Sequence, residues 1–261
     1  MTTPWSRRGF LAICSGTAVA LGIGTPAFAA SDEFATLRAR WRTLILGEGF
    51  DPAAEPFASR LSGLGTTAGR YRATMAPAAG SLWPDLVYAD PDPDTDQESF
   101  GYSGNMNTSY TRLSTLAQAY CQPGTGLTGD TGLRDAIVAG LDHLHDDVYN
   151  ASRTPYGNWY NWQIGAPQAL LDVCVLMYDA LSATQLAGHL AAVDHFVPDS
   201  AVASYSGTST GANRVDLCRV LALRGVVGAS AAKVALARDA LSPVFPYVTS
   251  GDGLYADGSF I

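Results

Sequence analysis

Apolar residues recur at three- and four-residue spacing along most of the chain, the pattern of helices that each bury one face. The spacing predicts helices over 33–46, 56–75, 108–120, 133–149, 166–181, 184–196, 213–227 and 231–247. Ser182 through Gln185 reads as a capping box, the serine covering open amides while Gln185 reaches back. Pro198 and the Gly225/Gly228 region mark helix ends. Pro243 and Pro246 make the last helix fray or stop early. No segment alternates apolar and polar residues long enough to build a sheet domain. Eight helices joined by loops predict an all-α fold of stacked helical hairpins, a toroid or solenoid rather than a four-helix bundle.

Two stretches between helices are too long to be simple connectors. One runs over 77–107 and carries Trp83, Tyr88, Phe100 and Tyr102. The other runs over 150–165 and is rich in aromatics and amides. Long loops with large side chains on a rigid scaffold usually carry function.

Composition narrows the class. The 261 residues are 47% hydrophobic and 15% charged, which supports a sizeable core and excludes a disordered chain. Acids outnumber bases, 24 to 16, Lys233 is the only lysine, and no basic run exists. No nucleic-acid partner is expected. Residues 1–29 read as a twin-arginine signal peptide: Arg7-Arg8, an apolar stretch from Leu11, and the small-x-small site Ala27-Phe28-Ala29. Cleavage there leaves 30–261 as the toroid domain, exported and free of the membrane. It also removes Cys14. Cys121, Cys174 and Cys218 lack metal-ligand spacing, so no zinc or other cofactor is expected. Buried free thiols are the simpler reading for them, with one disulfide as the alternative.

Candidate chemistry gathers in two segments. Asn158-Trp159-Tyr160-Asn161-Trp162-Gln163 places three rings and three amides at the entry to a helix. Sugar rings offer an apolar C–H face to aromatics and a hydroxyl rim to amides. The same rings could instead plug helix ends, with the amides capping backbone. The second segment, Ser206 to Leu217, is a Gly/Ser/Thr loop that feeds a helix at Asn213, where free amides and the helix dipole favour an anion. Asn213 could equally be a plain cap, with Arg214 a surface partner of Asp216.

The runs NWYNWQIGAPQALL, TGANRVDL and DGLYADGSF, with Ser81–Leu86 and Ser109–Leu113 in the same order, resemble the helical domain of polysaccharide lyase family 8. That family includes hyaluronate, chondroitin AC and xanthan lyases. The likeness extends from about Phe34 to Ile261. It implies an incomplete α/α toroid with a cleft for an acidic polysaccharide, cleaved by β-elimination at a uronic acid. It implies Asn213 as the catalytic amide that neutralises the uronate carboxylate, and Asn158, Trp159 and Tyr160 as the patch that grips the chain. A second tryptophan is usual where Tyr160 stands, and a glutamate where Gln163 stands; Gln163 is taken as structural. The family's histidine base and tyrosine acid follow the DGSF segment, so the chain reads as the front part of a lyase, its remaining part a partner if encoded separately. A sugar-binding fragment without turnover is the alternative.

Other constellations are weaker. Asp90 to Glu98 has alternate carboxylates but lacks the glycine and final glutamate of a calcium loop, so it reads as a solvated acidic loop. Asp142, His143, His145, Asp146 and Asp147 do not share one helical face, and no metal is expected. His189 and His195 read as partly exposed residues. Asp252 and Asp257 could be proposed as a glycoside hydrolase pair, although a glycine-rich turn explains them better. Arg112, Arg153 and Arg214 are candidates for local positive charge.

Overall fold

A computed structural model describes residues 27–261, with side chains from Glu33 onward. The twin-arginine motif and Cys14 lie outside the described residues; only the last three residues of the expected signal fall inside, at the start of the first helix. Eight α-helices follow in order: α1 (Ala27–Leu46), α2 (Phe57–Thr74), α3 (Gln97–Cys121), α4 (Thr131–Asp147), α5 (Ala166–Leu176), α6 (Ala183–Phe196), α7 (Gly211–Val227) and α8 (Ala231–Leu241). A π turn, Asn161–Gly165, leads directly into α5. Among the described residues there are only isolated β-bridges and no strands.

Alternate helices pack side by side. α5 lies between α3 and α7, while α4 and α6 contact each other in a second layer, α8 pairs with α7, and α1 lies against both α5 and α7. This two-layered arc of helical hairpins is an incomplete α/α toroid. Its first layer is the most apolar: α5 buries Leu170, Leu171 and Val173 through Leu176 in succession, as a helix covered on several sides must. Asp172 and Gln168 supply its polar contacts. Asp172 accepts from Trp41 Nε1 of α1 at 2.8 Å and from Arg219 of α7 at 2.7 Å, and Gln168 donates to Asp216 at 2.9 Å.

Caps account for most boundaries. Asp130 accepts from Leu133 N at 2.6 Å, and the Ser182/Gln185 capping box is complete. The α8 helix ends at Leu241 and passes into a short 3-10 turn, Ser242–Val244, where Pro243 ends the ladder as expected. Gly225 lets α7 approach α8, since a Cβ there would fall 2.8 Å from Val234 Cγ2.

Two expectations are corrected. The third helix begins eleven residues earlier than predicted, at Gln97, capped by Asp96 accepting from Ser99 N at 2.9 Å. Its added turns bury Ser99, Ser103 and Met106, a helical face built mostly from serine, which an apolar pattern misses. The segment before it is an anchor rather than a functional loop. Trp83 and Tyr88 are fully buried, with Trp83 Nε1 donating to Tyr71 O at 2.8 Å. Asp147 pins this anchor by accepting from Gly80 N at 2.7 Å and from the Tyr88 hydroxyl at 2.8 Å. Asp147 is therefore a structural group, and so is His143, whose Nε2 lies 3.1 Å from Ser81 O.

Candidate functional site

The aromatic segment opens at Gly157, whose φ of +62° and close approach to α3 both exclude a side chain; a Cβ would lie 2.2 Å from Ser99 O. Asn158 then donates its N–H to Ser103 Oγ at 3.1 Å and accepts from Tyr160 N at 3.0 Å through Oδ1. This second bond caps the helical turn that begins at Trp159. The three rings divide. Trp162 turns inward, buried beside Tyr149 and Phe196 at centroid distances of 5.9 and 4.8 Å, and its Nε1 donates to Tyr156 O at 2.7 Å. Trp159 is partly buried and Tyr160 is 39% exposed, the two meeting edge to face at 6.3 Å. The plugging role belongs to Trp162, leaving Trp159 and Tyr160 as the accessible pair.

Asn213 occupies the first turn of α7. The Gly211 backbone, at a φ of +46° that favours glycine, is held by its N–H donating to the Tyr205 hydroxyl at 2.9 Å. Ala212 N donates to Ile261 O at 3.3 Å, and Thr210 donates to Asp252 at 2.6 Å. These contacts occupy most of the helix end, so its bare amides are not the open group there. The half-buried Asn213 carboxamide is different: it makes no hydrogen bond among the described residues. The π turn packs against α7 as well as α3, which brings the aromatic segment and the Asn213 helix into one region. Gln163, on that π turn, is also half-buried and makes no hydrogen bond among the described residues.

Arg214 is not a surface partner of Asp216. It is 3% exposed and donates to Ala240 O at 2.7 Å, Ser204 O at 2.9 Å and Ser209 Oγ at 2.8 Å. Arg112 is bound bidentately by Asp85 at 2.9 and 2.6 Å, which neutralises it. Asp90 and Asp94 both accept from Ser99 Oγ, and Asp96 caps α3, so the acidic stretch organises the start of a helix. Asp257 accepts from Ser259 N and Oγ, and these bonds hold its carboxyl below the usual range. A general acid for glycoside hydrolysis needs the opposite shift.

His189 corrects an expectation. It is 1% exposed because it shares the inward stripe of α6 with Val193 and Phe196, and its ring meets His145 edge to face at 5.3 Å. Only His195 is exposed, bonded at 3.0 Å to Arg153 O. Cys121, Cys174 and Cys218 are free thiols. Burial pushes Cys174 up to about 12 and Cys218 to about 11, which makes them poor nucleophiles.

Sequence reasoning missed Ser103 and Asn107, which hold the aromatic segment through Asn161. Ser103 Oγ and Asn107 Nδ2 bond the Asn161 carboxamide at 3.0 and 3.2 Å. The signal was present as polar residues at helical spacing, 103 and 107, within a stretch read as loop.

Residues 41–261 match the description "Polysaccharide lyase family 8, N terminal alpha-helical domain". A hyaluronate lyase of Thermasporomyces composti is 45% identical over 262 residues, covering 98% of this chain and 32% of the relative. A xanthan lyase of Bacillus sp. (strain GL1) is 38% identical, covering 89% of this chain and 24% of the relative. Among solved structures, the chondroitin AC lyase of Streptomyces coelicolor A3, in complex with chondroitin sulphate, superposes with a TM-score of 0.81 at 55% identity, over 88% of this chain and 29% of that one. The chain thus spans a third or less of the length of these relatives. An arc of helical hairpins with its aromatic segment lodged between α3 and α7, matched by one family description along 41–261, has a single assignment: this chain belongs to polysaccharide lyase family 8 through its N-terminal helical domain.

Proposed function

We propose that this domain serves an exported lyase that cleaves an acidic polysaccharide of the hyaluronan, chondroitin or xanthan type by β-elimination at a uronic acid. The observation that carries the reading is the unspent carboxamide of Asn213, held in the first turn of α7 while the N–H groups of Gly211 and Ala212 before it are already bonded. The proton on C5 of a uronate is poorly acidic while the adjacent carboxylate keeps its charge. A neutral amide that donates to that carboxylate lets it accept charge as the C5–H bond breaks, and the helix N-terminus behind it adds a favourable field. As the electrons move in, the C4–O bond leaves and a C4=C5 double bond remains. Trp159 and Tyr160 would cover the C–H face of a sugar, and Asn158 would meet its hydroxyls. Transfer of the C5 proton falls to the histidine and tyrosine that the family carries after this segment. No cofactor is needed for this chemistry.

The test is spectroscopic. The complete product of the gene that carries these residues, given hyaluronan, chondroitin and xanthan, is expected to produce the ultraviolet absorbance of an unsaturated uronate with at least one. Asn213→Ala is expected to remove turnover while sugar still binds. No unsaturated product from any of the three would overturn the reading, and binding without turnover would leave a sugar-gripping domain in its place. Export by the twin-arginine route is part of the proposal; replacing Arg7 and Arg8 with lysine is expected to keep the protein inside the cell, and unchanged export would refute that part.

A further inference from the structure

Something must aim the Trp159–Tyr160 pair, and the π turn that follows it is the place to look. Here Ala166 N–H bonds to Asn161 O, five residues back rather than four. Each residue of an α-helix turns the chain by about 100°. One extra residue in the turn therefore rotates everything ahead of it by about that angle relative to α5. The α5 helix is fixed by its nearly continuous buried surface, so the π turn sets the direction in which Trp159 and Tyr160 face.

A π turn is rare and has to be held by its surroundings. Two side chains of α3, one turn apart, do so. Ser103, fully buried, accepts from Asn158 N at 3.1 Å and from Asn161 Nδ2 at 3.0 Å, and donates to Phe100 O at 3.1 Å. Its hydroxyl has no capacity left. Asn107 Nδ2 donates to Asn161 Oδ1 at 3.2 Å. The same carboxamide lies flat on Gly165, where a Cβ would fall 2.5 Å from Nδ2 and 2.7 Å from Oδ1. Asn107 thus bridges the first and last residues of the π turn, and Gly165 is the residue type that admits it.

We propose that Asn107, supported by Ser103, is a positioning residue that locks the π turn and thereby the direction in which Trp159 and Tyr160 meet an acidic polysaccharide. The proposal rests on reading those rings as sugar-binding, and the experiment separates the two. Calorimetric binding of hyaluronan and chondroitin oligosaccharides is measured for the parent chain and for Asn107→Ala, Gly165→Ala, the double variant and Trp159→Ala. Asn107→Ala is expected to weaken binding about 10-fold. Gly165→Ala, which expels the carboxamide, is expected to do the same. The double variant is expected to be no weaker than either single one, because both remove the same lock. A ligand-free readout accompanies these: the Trp159 part of the near-ultraviolet circular dichroism, taken as the difference between each protein and its Trp159→Phe counterpart. That part is expected to change in Asn107→Ala. An unchanged Trp159 signal, or parent-like binding by Asn107→Ala while Trp159→Ala binds weakly, overturns the proposal. A changed signal with parent-like binding by Trp159→Ala upholds the lock and removes the sugar-binding reading instead.

Discussion

The guanidinium of Arg214 donates from Nε to the carbonyl of Ala240 at 2.7 Å, tying the first turn of α7 to the last turn of α8 from inside the protein. Among the described residues no carboxylate lies within ion-pair distance of it. A buried cation with neutral partners is costly, and its three acceptors are what make the site tolerable. It is also the residue after Asn213, so its hold on Ser204 and Ser209 fixes the loop that delivers Asn213.

Arg214→Met is therefore expected to destabilise the fold by about 2–3 kcal/mol, since two backbone carbonyls lose their donor. Arg214→Lys is expected to recover only part of that, because an ammonium cannot reproduce the spread of the guanidinium. Denaturant unfolding measures both. Parent-like stability in Arg214→Met would mean that water replaces the bonds without cost.

His189 makes stability depend on pH in a defined window. Burial, with His145 as the smaller cause, lowers its pKa from 6.5 to about 4. Above 6.5 the ring is neutral in folded and unfolded chains alike, and its contribution is fully present. As pH falls below 6.5 the unfolded chain takes up a proton that the folded one refuses, so stability declines until about pH 4. The shift is worth about 3 kcal/mol. His189→Leu is expected to flatten the decline between pH 6.5 and 4 and to raise stability at pH 5, because a ring with two unpartnered nitrogens gives way to an apolar side chain. Urea titrations across that range decide it, and an unchanged slope would place the pH response elsewhere.

These two residues also show where sequence reading stopped. The α4 helix, whose buried face is aliphatic with Leu133, Ile137, Leu141 and Leu144, is legible to within two residues, whereas the equally aliphatic α5 ends at Leu176, short of the predicted 181. The first half of α3 is not legible, because Ser99, Ser103 and Ser109 carry its buried positions and signal a loop when read for hydrophobicity. The sequence reads His189 as partly exposed beside His195, while its spacing to Val193 and Phe196 places it in the buried stripe. In the site, the sequence brought Asn158, Trp159, Tyr160 and Trp162 together without saying which ring turns inward. The ring that turns inward is the one that packs on Tyr149 at the end of α4 and on Phe196 of α6, contacts that no local pattern shows.

Asp147 is expected to be the most sensitive position in the anchor segment. Asp147→Ala strips acceptors from Gly80 N and the Tyr88 hydroxyl at once, both in a well-packed region. A loss of about 2–4 kcal/mol follows. Hydrogen exchange is expected to show it as lost protection across 78–89 before the helices respond. Uniform loss over all helices would instead make this segment part of the global unfolding unit.

Asn213→Asp separates what the fold wants from what the proposed chemistry wants. A carboxylate in the first turn of a helix interacts well with the dipole, so the substitution is expected to leave stability unchanged or raise it by about 0.3 kcal/mol. The gain is small because Asp252 already sits at that helix end. Toward a uronate the effect has the opposite sign: a negative charge replaces a neutral donor where the substrate carboxylate is proposed to bind. Binding of hyaluronan oligosaccharides at pH 7 is expected to fall about 10-fold or more. It is expected to recover in part as pH drops through about 4, where the new side chain becomes neutral and again has a proton to donate. Titration calorimetry at pH 7 and pH 4, beside a thermal melt at each pH, gives both halves. If Asn213→Asp binds as tightly as the parent at pH 7, the carboxylate of the sugar lies somewhere other than at Asn213.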